Sequence, residues 1–391
     1  MKLAEFYSGI EIHRQEKIIY VHLIAPHRVL STCRSLAGGM HDDLLYVYNH
    51  QSCEPDGDHN HSLMHLAIDC PEQYRKAIAQ RHSLPFQRCA TLGTAANMNN
   101  AAICHETYSD LEVVAVCTAG VERNAGRAGD PSSYYEPQTS RECAKDESEE
   151  TDDRSAAPFA GTINAMVFIN RELTPGAMVT AVITATEAKS AALQELEVPS
   201  RYSEGLATGT GTDQMAVASK LGGEAIAYAG KHSKIGELIG RTVHDAVIQA
   251  LAMQNGLTPA GQCSAFVHLQ RLGVDEAGLC QSIGNLLSRD DAYLLQKNFS
   301  NIICDPLTVA AVSAIVHMRD KFIWGTLPEG CTAEVFCLYG AAISAAVSGK
   351  TRNIPSYMKT LAALPKSLEK HQFLDFVCQA FAMGFSEKWS E

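Results

Sequence analysis

The chain has 391 residues, enough for two domains, and its 46% hydrophobic and 19% charged residues are typical of a folded protein. This composition excludes disorder along the whole chain. The 44 acidic residues outnumber the 32 basic ones and give a formal net charge of −12. This argues against nucleic acid as the main partner, because phosphate binding needs a basic surface.

The sequence also bears on location. No run of 18 apolar residues occurs and the start contains Glu5, so we expect neither membrane insertion nor a signal peptide. The 13 cysteines are odd in number and irregularly spaced. We therefore expect mostly buried free thiols in a cytoplasmic protein.

In the first part of the chain, residues 18–24 and 111–117 read as strands because they are rich in apolar and β-branched side chains. The segment 53–61 between them has loop chemistry. Cys53, His59, His61 and His65 suggest metal ligands, but their spacing fits no zinc pattern, so we expect a polar loop and no metal. The dense acids of residues 138–157 predict an exposed, mobile loop; an acidic docking segment is the alternative.

The middle part alternates strand and helix signals. Residues 163–169 and 178–184 read as strands, and residues 187–196 read as a helix. Helical patterns begin again at Gln214 and near Ser233, and the second of these ends at Gly256. Residues 308–318, 335–347 and 373–385 then read as buried helices. The predicted fold class is α/β, with a layered sheet-and-helix core at 1–260 and a mainly helical extension at 261–391.

Two polar segments give the strongest indication of a site. Thr186, Glu187 and Lys189 form one, and the alternating Thr-Gly run of residues 207–213 forms the other. Each is expected where a predicted strand gives way to a helix, since helix N-termini present free N–H groups. A tight turn capped by Asp213, with a helical ion pair between Glu187 and Lys189, is the structural alternative.

Three further loops and one histidine carry polar groups near predicted strands. In each, a ligand contact competes with an ordinary structural role, as a turn, a buried amide bonded to backbone or a helix start. The segments are residues 93–100 with Asn97, residues 117–131 with Arg123 and Asn124, residues 161–164 with Asn164, and His232 before the long helix.

Taken in order, these blocks resemble the adenosylcobinamide amidohydrolase family over about residues 20–255. The residues that carry the resemblance are Arg28 to Thr32 with Gly38 and Gly39, Asn97, Thr118 to Val121 with Asn124 and Ala125, Gly161 to Asn164, Ala185 to Lys189, Ala207 to Asp213, and His232 with Leu238 to Gly240. The acidic loop and the last 130 or so residues fall outside this pattern.

The resemblance implies hydrolysis of the amide that joins the corrin ring to the aminopropanol arm of adenosylcobinamide. The products would be adenosylcobyric acid and 1-amino-2-propanol. A corrinoid would then be the small-molecule partner and substrate, with no separate cofactor. A corrinoid-binding protein without turnover, or an acyl or amide transferase with a threonine nucleophile, are the alternatives. The sequence leaves open whether the protein forms a homo-oligomer.

Amide hydrolysis needs an activated nucleophile, an oxyanion stabiliser and an acid for the leaving amine. We expect the catalytic groups to be Glu187, Lys189, Thr212 and Asp213. We expect substrate contacts from Asn97, Arg123, Asn124, Asn164, Thr208, Thr210 and His232. Direct attack by water is favoured, since a covalent route through Thr210 or Thr212 would need a neighbouring base that the sequence does not place.

Overall fold

The computed structural model describes residues 1–52, 66–67, 69–132 and 161–389. The histidine-rich loop with Cys53, His59, His61 and His65 and the acidic segment 138–157 lie outside the described residues. The chain divides into two compact units, Met1–Thr258 and Pro259–Glu391. The α/β class is confirmed: the first unit is built on mixed sheets and the second is helical.

Two sheets form the first unit. The five-stranded sheet A runs in the order β1-β2-β3-β6-β7 and is antiparallel except between its last two strands. Its strands are β1 (Lys2–Phe6), β2 (Ile10–Gln15), β3 (Ile18–Leu23), β6 (Tyr46–Gln51) and β7 (Cys89–Thr94). The predicted strand at 18–24 is therefore confirmed as β3.

The six-stranded sheet B runs in the order β5-β4-β13-β11-β9-β8 and has one parallel pair, β11 with β13. Its strands are β4 (His27–Ser31), β5 (Gly39–His41), β8 (Ala102–Tyr108), β9 (Leu111–Thr118), β11 (Asn164–Ile169) and β13 (Gln214–Lys220). The predicted strands at 111–117 and 163–169 are confirmed. A two-stranded ribbon pairs β10 (Ala125–Gly126) with β12 (Gly209–Thr210).

Three long helices cover the sheets: α1 (Pro71–Arg81), α2 (Pro175–Glu195) and α3 (Lys234–Asn255). Helix α1 packs on the outer face of sheet A, and the inner face of sheet A packs on sheet B. Helices α2 and α3 cover the other face of sheet B. Strand β11 shows the layering, since Met166 and Phe168 face sheet A while Ala165 and Val167 face the helices.

Two predicted elements in the middle region are wrong. Residues 178–184 lie inside α2 although five of the seven are β-branched. Thr174 caps this helix, and its buried alanines, such as Ala177, Ala181 and Ala185, recur every four residues. Residues from Gln214 onward form β13, a central strand with five consecutive buried residues. A strand buried on both faces has no alternating pattern and cannot be told from a buried helix by periodicity.

The helix predicted near Ser233 is confirmed as α3. The Ser233 side chain accepts a hydrogen bond from the N–H of Gly236, and the helix ends at Gly256, whose φ of 66° suits glycine. Ten of the eleven described cysteines are free, half of them buried, whereas Cys70 is disulfide-bonded.

The second unit has its own apolar core. Its helices are α4 (Ala265–Gln270), α5 (Glu276–Gly284), α6 (Arg289–Ile303), α7 (Pro306–Ile323), α8 (Thr332–Ser348), α9 (Ile354–Leu361) and α10 (Lys370–Ser386). The three helices predicted here are confirmed as parts of α7, α8 and α10. Among the described residues the stretch Glu329–Ser348 is long and apolar enough to cross a membrane. This is weak evidence for a membrane span, because core helices of soluble proteins pass the same test; 44% of the most apolar window of the stretch is buried.

Candidate active site

The two segments singled out in the sequence lie side by side on the outer side of sheet B. Helix α2 brings them together, because Ser190 Oγ donates to the carbonyl of Thr208 at 2.9 Å and Gln194 Nε2 donates to the carbonyl of Ala207 at 2.9 Å. Lys189, one residue earlier, is buried and forms an ion pair with Asp213. The structure thus places Lys189 and Asp213 in one cluster.

The prediction that both segments stand at helix N-termini is wrong. Lys189 lies in the interior of α2 and Asp213 directly precedes a strand, so neither segment stands at a helix N-terminus. Neither segment therefore offers the free N–H groups of a helix N-terminus to a ligand. Asp213 does not cap a helix, and Glu187 pairs with Lys231 rather than with Lys189.

Asp213 is the most highly connected side chain of the cluster. Its Oδ1 accepts hydrogen bonds from the N–H of Ile163 at 2.9 Å and from Thr210 Oγ1 at 2.6 Å. Its Oδ2 accepts from the N–H of Thr210 at 3.0 Å and from Lys189 Nζ. A carboxylate offers about four acceptor positions. All four are used, so a water molecule can approach Asp213 only by displacing one of these donors.

Unlike Asp213, Lys189 uses only part of its hydrogen-bonding capacity within the described residues. Its ammonium has three N–H donors, and Asp213 is its one bonded partner among the described residues. A Cβ atom added at Gly209 would lie 2.7 Å from Lys189 Nζ and 2.4 Å from Asp213 Oδ2. The glycine therefore lets the backbone of β12 approach the ion pair. The remaining donors are available to an acceptor such as a carbonyl oxygen.

A second group of hydroxyl and amide side chains adjoins the first. Thr212 Oγ1 lies 2.6 Å from Thr162 Oγ1 and 3.1 Å from Asn124 Nδ2, which donates to it. Asn124 Nδ2 also donates to the carbonyl of Gly161 at 3.2 Å, and Tyr202 OH donates to Asn124 Oδ1 at 3.0 Å. No carboxylate or imidazole contacts Thr212 in the described part of the chain. Tyr202 was not predicted from the sequence, and Thr162 lies in the predicted segment 161–164 but was not proposed as a site residue.

A buried network lies where the two sheets meet, and its Asn49 was not singled out in the sequence. Asn164 Nδ2 donates to Asn49 Oδ1 and to the carbonyl of Gly93, each at 2.9 Å, and Asn49 Nδ2 donates to Thr118 Oγ1 at 2.7 Å. Asn164 Oδ1 accepts from the N–H of Gln214 at 3.2 Å. Because the amide atoms of Asn164 are bonded within the protein, the residue fixes the start of β13 next to Asp213.

Gly161 permits the close approach of two loops at this site. Its φ is +129°, and an added Cβ would lie 2.9 Å from the carbonyl oxygen of Gly120. We expect Gly161→Ala to lower the free energy of unfolding by about 3 kcal/mol through backbone strain and overpacking. The matched control is Gly240→Ala, in the interior of α3 with open space around it, which should stabilise by about 0.5–1 kcal/mol. Chemical denaturation checks both; equal stabilities for the two variants would contradict this account.

The other predicted site residues lie outside the Lys189–Asp213 cluster. Asn97 Oδ1 accepts from the N–H of Asn99 at 2.9 Å and so caps a short turn, while its own N–H donates to Gln254 of α3. Arg123 and His232 are exposed. Thr208 Oγ1 accepts from the N–H of Ala128 at 2.9 Å. None of these four residues has a hydrogen bond to Lys189 or Asp213 within the described part of the chain.

A cysteine nucleophile and a metal site are two other ways to hydrolyse an amide. Cys117 ends up fully buried near Thr118, and burial raises the pKa of its thiol, which stays protonated at neutral pH and is a poor nucleophile. No three His, Cys, Asp or Glu side chains converge as metal ligands within residues 1–52, 66–67, 69–132 and 161–389. The described site is thus organised around an ion pair and hydroxyl groups.

Comparison with known proteins agrees with the resemblance seen in the sequence. The chain is 34% identical over 245 residues to an uncharacterized protein of Methanocaldococcus jannaschii, a match that covers 62% of this chain and 88% of the relative. The family model described as adenosylcobinamide amidohydrolase matches residues 3–259, which include the whole of the site and end beside the boundary of the first unit. The chain therefore belongs to the adenosylcobinamide amidohydrolase family.

Proposed function

We propose that this protein hydrolyses the amide between the corrin ring and the aminopropanol arm of adenosylcobinamide, giving adenosylcobyric acid and 1-amino-2-propanol. Family membership supports this substrate, and the Lys189–Asp213 pair beside a glycine-threonine loop is the observation that carries the chemistry. The reaction would serve the salvage of an incomplete corrinoid in the cytoplasm. The corrinoid is the substrate, so the proposal assigns no cofactor to the protein.

Lys189 is proposed to hold the substrate carbonyl. Amide cleavage builds negative charge on the carbonyl oxygen, and a fixed cation in a partly dry site stabilises that charge. The backbone N–H groups of residues 208, 210, 211 and 212 all donate within the protein. The free donors of Lys189 are therefore better placed than these amides to serve as the oxyanion site, and Lys189 can also supply the proton that the leaving amine needs.

Asp213 is proposed as the carboxylate of the reaction. Glu187 was the other candidate, but its side chain is half exposed and paired with Lys231. Residues two apart on a helix point in different directions, so Glu187 and Lys189 do not share a face of α2. Asp213 contacts both Lys189 and a hydroxyl group, which makes it the better placed proton acceptor.

Other residues are proposed to bind the corrinoid or to position the site. The corrin rim carries several amides, which pair with amide and guanidinium groups. Arg123 and His232 are exposed and able to reach a ligand. Thr208 and Thr210 lie in the same loop as Asp213, and Asn124 adjoins that loop through its hydrogen bond to Thr212. Asn164 acts through the position of β13, and Asn97 through a turn, rather than by direct contact.

The variant Asp213→Asn separates hydrolysis from binding alone. The amide keeps the shape of the carboxylate but cannot take a proton, so we expect turnover to fall on the order of 10²–10³-fold. The Kd for adenosylcobinamide should stay within about 10-fold of the wild-type value, since the arm and ring contacts are unchanged. Equilibrium dialysis gives the Kd, and chromatography of the corrinoids gives the turnover.

A corrinoid-binding protein would give a different pattern. Wild-type protein would then retain adenosylcobinamide in stoichiometric amount and release it unchanged, and Asp213→Asn would alter only the Kd. Circular dichroism of each variant confirms that it is folded. Adenosylcobyric acid, which lacks the arm, serves as the ligand control for binding to the ring alone.

A further inference from the structure

Thr210 differs from the other threonines of its loop in what it contacts. Its Oγ1 donates to Asp213 Oδ1 at 2.6 Å, a short bond to a carboxylate. Its N–H donates to the other oxygen of the same carboxylate at 3.0 Å. Thr210 is therefore fixed in position by two bonds to one side chain, one from its hydroxyl and one from its backbone, and the hydroxyl lies beside a group that can take its proton.

Among the described residues, neither neighbouring threonine contacts a group that can take its proton. Thr212 Oγ1 contacts Thr162, Asn124 and the carbonyl of Gly161, none of which accepts a proton at neutral pH. Thr208 Oγ1 accepts a hydrogen bond from a backbone N–H. A hydroxyl nucleophile needs an adjacent base held in place by a third group. Thr210, Asp213 and Lys189 form that series.

The hydrogen bonds of Asp213 favour Thr210 over water as the nucleophile. Every acceptor position of Asp213 is occupied, and one of its four donors is the Thr210 hydroxyl. For Asp213 to activate water, the water would have to replace one of these bonds. Removal of the Thr210 proton needs no rearrangement.

We propose that Thr210 is the nucleophile and that the reaction passes through an ester of Thr210. This inference rests on the proposed function for its natural substrate, and it differs from the direct attack by water that the sequence favoured.

In the first step, Thr210 Oγ attacks the amide carbonyl while its proton passes to Asp213. The C–N bond then breaks, and the amine leaves with a proton from Lys189, which recovers one from Asp213. In the second step, water attacks the ester, its proton passes to Asp213 and then to Thr210 Oγ, and the carboxylic acid is released. The net reaction consumes one water and needs no oxidant or further reactant.

Two substitutions test the assignment with adenosylcobinamide. Thr210→Ala should lower kcat on the order of 10³-fold, whereas Thr210→Ser, which keeps the hydroxyl, should stay within about 10-fold of wild type. Thr180→Ala is the matched control, because Thr180 lies on α2 outside the candidate site segments and its hydroxyl donates to the carbonyl of Gly176 in the same helix; it should leave kcat unchanged. Hydroxylamine added to wild type should divert part of the product to a corrinoid hydroxamate, which forms from an ester intermediate.

A second readout does not need the natural substrate. We expect p-nitrophenyl acetate to acetylate Thr210 with release of p-nitrophenolate, detected by peptide mass spectrometry after acid quenching. The adduct should appear in wild type and Thr210→Ser and be absent from Thr210→Ala.

If Thr210→Ala hydrolyses adenosylcobinamide at a rate within 10-fold of wild type, the assignment of the nucleophile is wrong but the proposed hydrolase activity stands. If wild type acetylates Thr210 but leaves adenosylcobinamide intact, the nucleophile stands and the substrate is wrong. If p-nitrophenyl acetate leaves Thr210 of the wild-type protein unmodified and hydroxylamine yields no corrinoid hydroxamate, the assignment is overturned.

Discussion

Lys189→Met is expected to lower kcat/KM for adenosylcobinamide by about 10²–10³-fold, the usual effect of removing one oxyanion donor. Methionine keeps the length of the side chain, so α2 can pack as before. The substitution removes both the free N–H donors and the proton source for the leaving amine. Steady-state kinetics with chromatographic detection of the corrinoids measures the effect.

The same substitution is expected to cost stability. The side chains of Lys189 and Asp213 are only 10% and 16% exposed, and removal of one partner leaves a carboxylate poorly solvated. Breaking such a buried pair typically lowers the free energy of unfolding by about 3–5 kcal/mol. Kinetics must therefore be recorded well below the melting temperature of the variant.

Lys231→Met is the matched control for the lysine. Lys231 also pairs with a carboxylate, Glu187 of α2, but its side chain is 60% exposed. An exposed pair contributes about 1 kcal/mol or less, so activity and stability should barely change. If Lys189→Met retains activity close to that of Lys231→Met, Lys189 does not take part in the reaction.

Acid is expected to destabilise the first unit well before its carboxylates titrate. His27 and His50 are fully buried, and burial lowers the pKa of His27 to about 4 and that of His50 to about 3. Both pKa values lie below the ordinary value of about 6.5 in an unfolded chain. Stability from the neutral rings is therefore complete above about pH 6.5 and is lost as the pH falls toward 4, because only the unfolded chain takes up the protons.

The expected size of this loss is about 2 kcal/mol for each histidine between pH 7.5 and pH 5. Guanidinium unfolding at pH 7.5, 6 and 5 measures it. His50→Leu should reduce the dependence on pH by about half, although it also leaves Tyr74 OH, 2.7 Å from His50 Nδ1, without that partner. A free energy of unfolding that stays constant from pH 7.5 to pH 5 would contradict the assignment of neutral buried rings.

The proximity of the two segments could be predicted from the sequence, but the geometry of their contact could not. Lys189 and Asp213 are 24 residues apart, and the threonine-glycine pattern with the family resemblance predicted a site that uses both segments. The sequence gives no periodic signal for the contact between Asp213 and Thr210, because a turn that folds back on its own carboxylate depends on β12 pairing with β10.

The misread elements have a common physical cause. In α2 the β-branched residues Val179, Val182 and Ile183 favour a strand locally, and packing of the alanine face on sheet B overrides that preference. In β13 the consecutive buried residues do not alternate between apolar and polar, so the sequence carries no strand periodicity. Asn49 was missed because it interrupts an apolar strand, where a single polar residue shows its importance only once Asn164 and Thr118 are seen beside it.

The most direct test of the account is product analysis by mass spectrometry after incubation of the folded wild-type protein with adenosylcobinamide. We expect adenosylcobyric acid and 1-amino-2-propanol in equal amounts, formed at a rate proportional to the protein added. Recovery of unchanged adenosylcobinamide, in parallel with complete conversion by a known amidohydrolase, would contradict the proposed reaction.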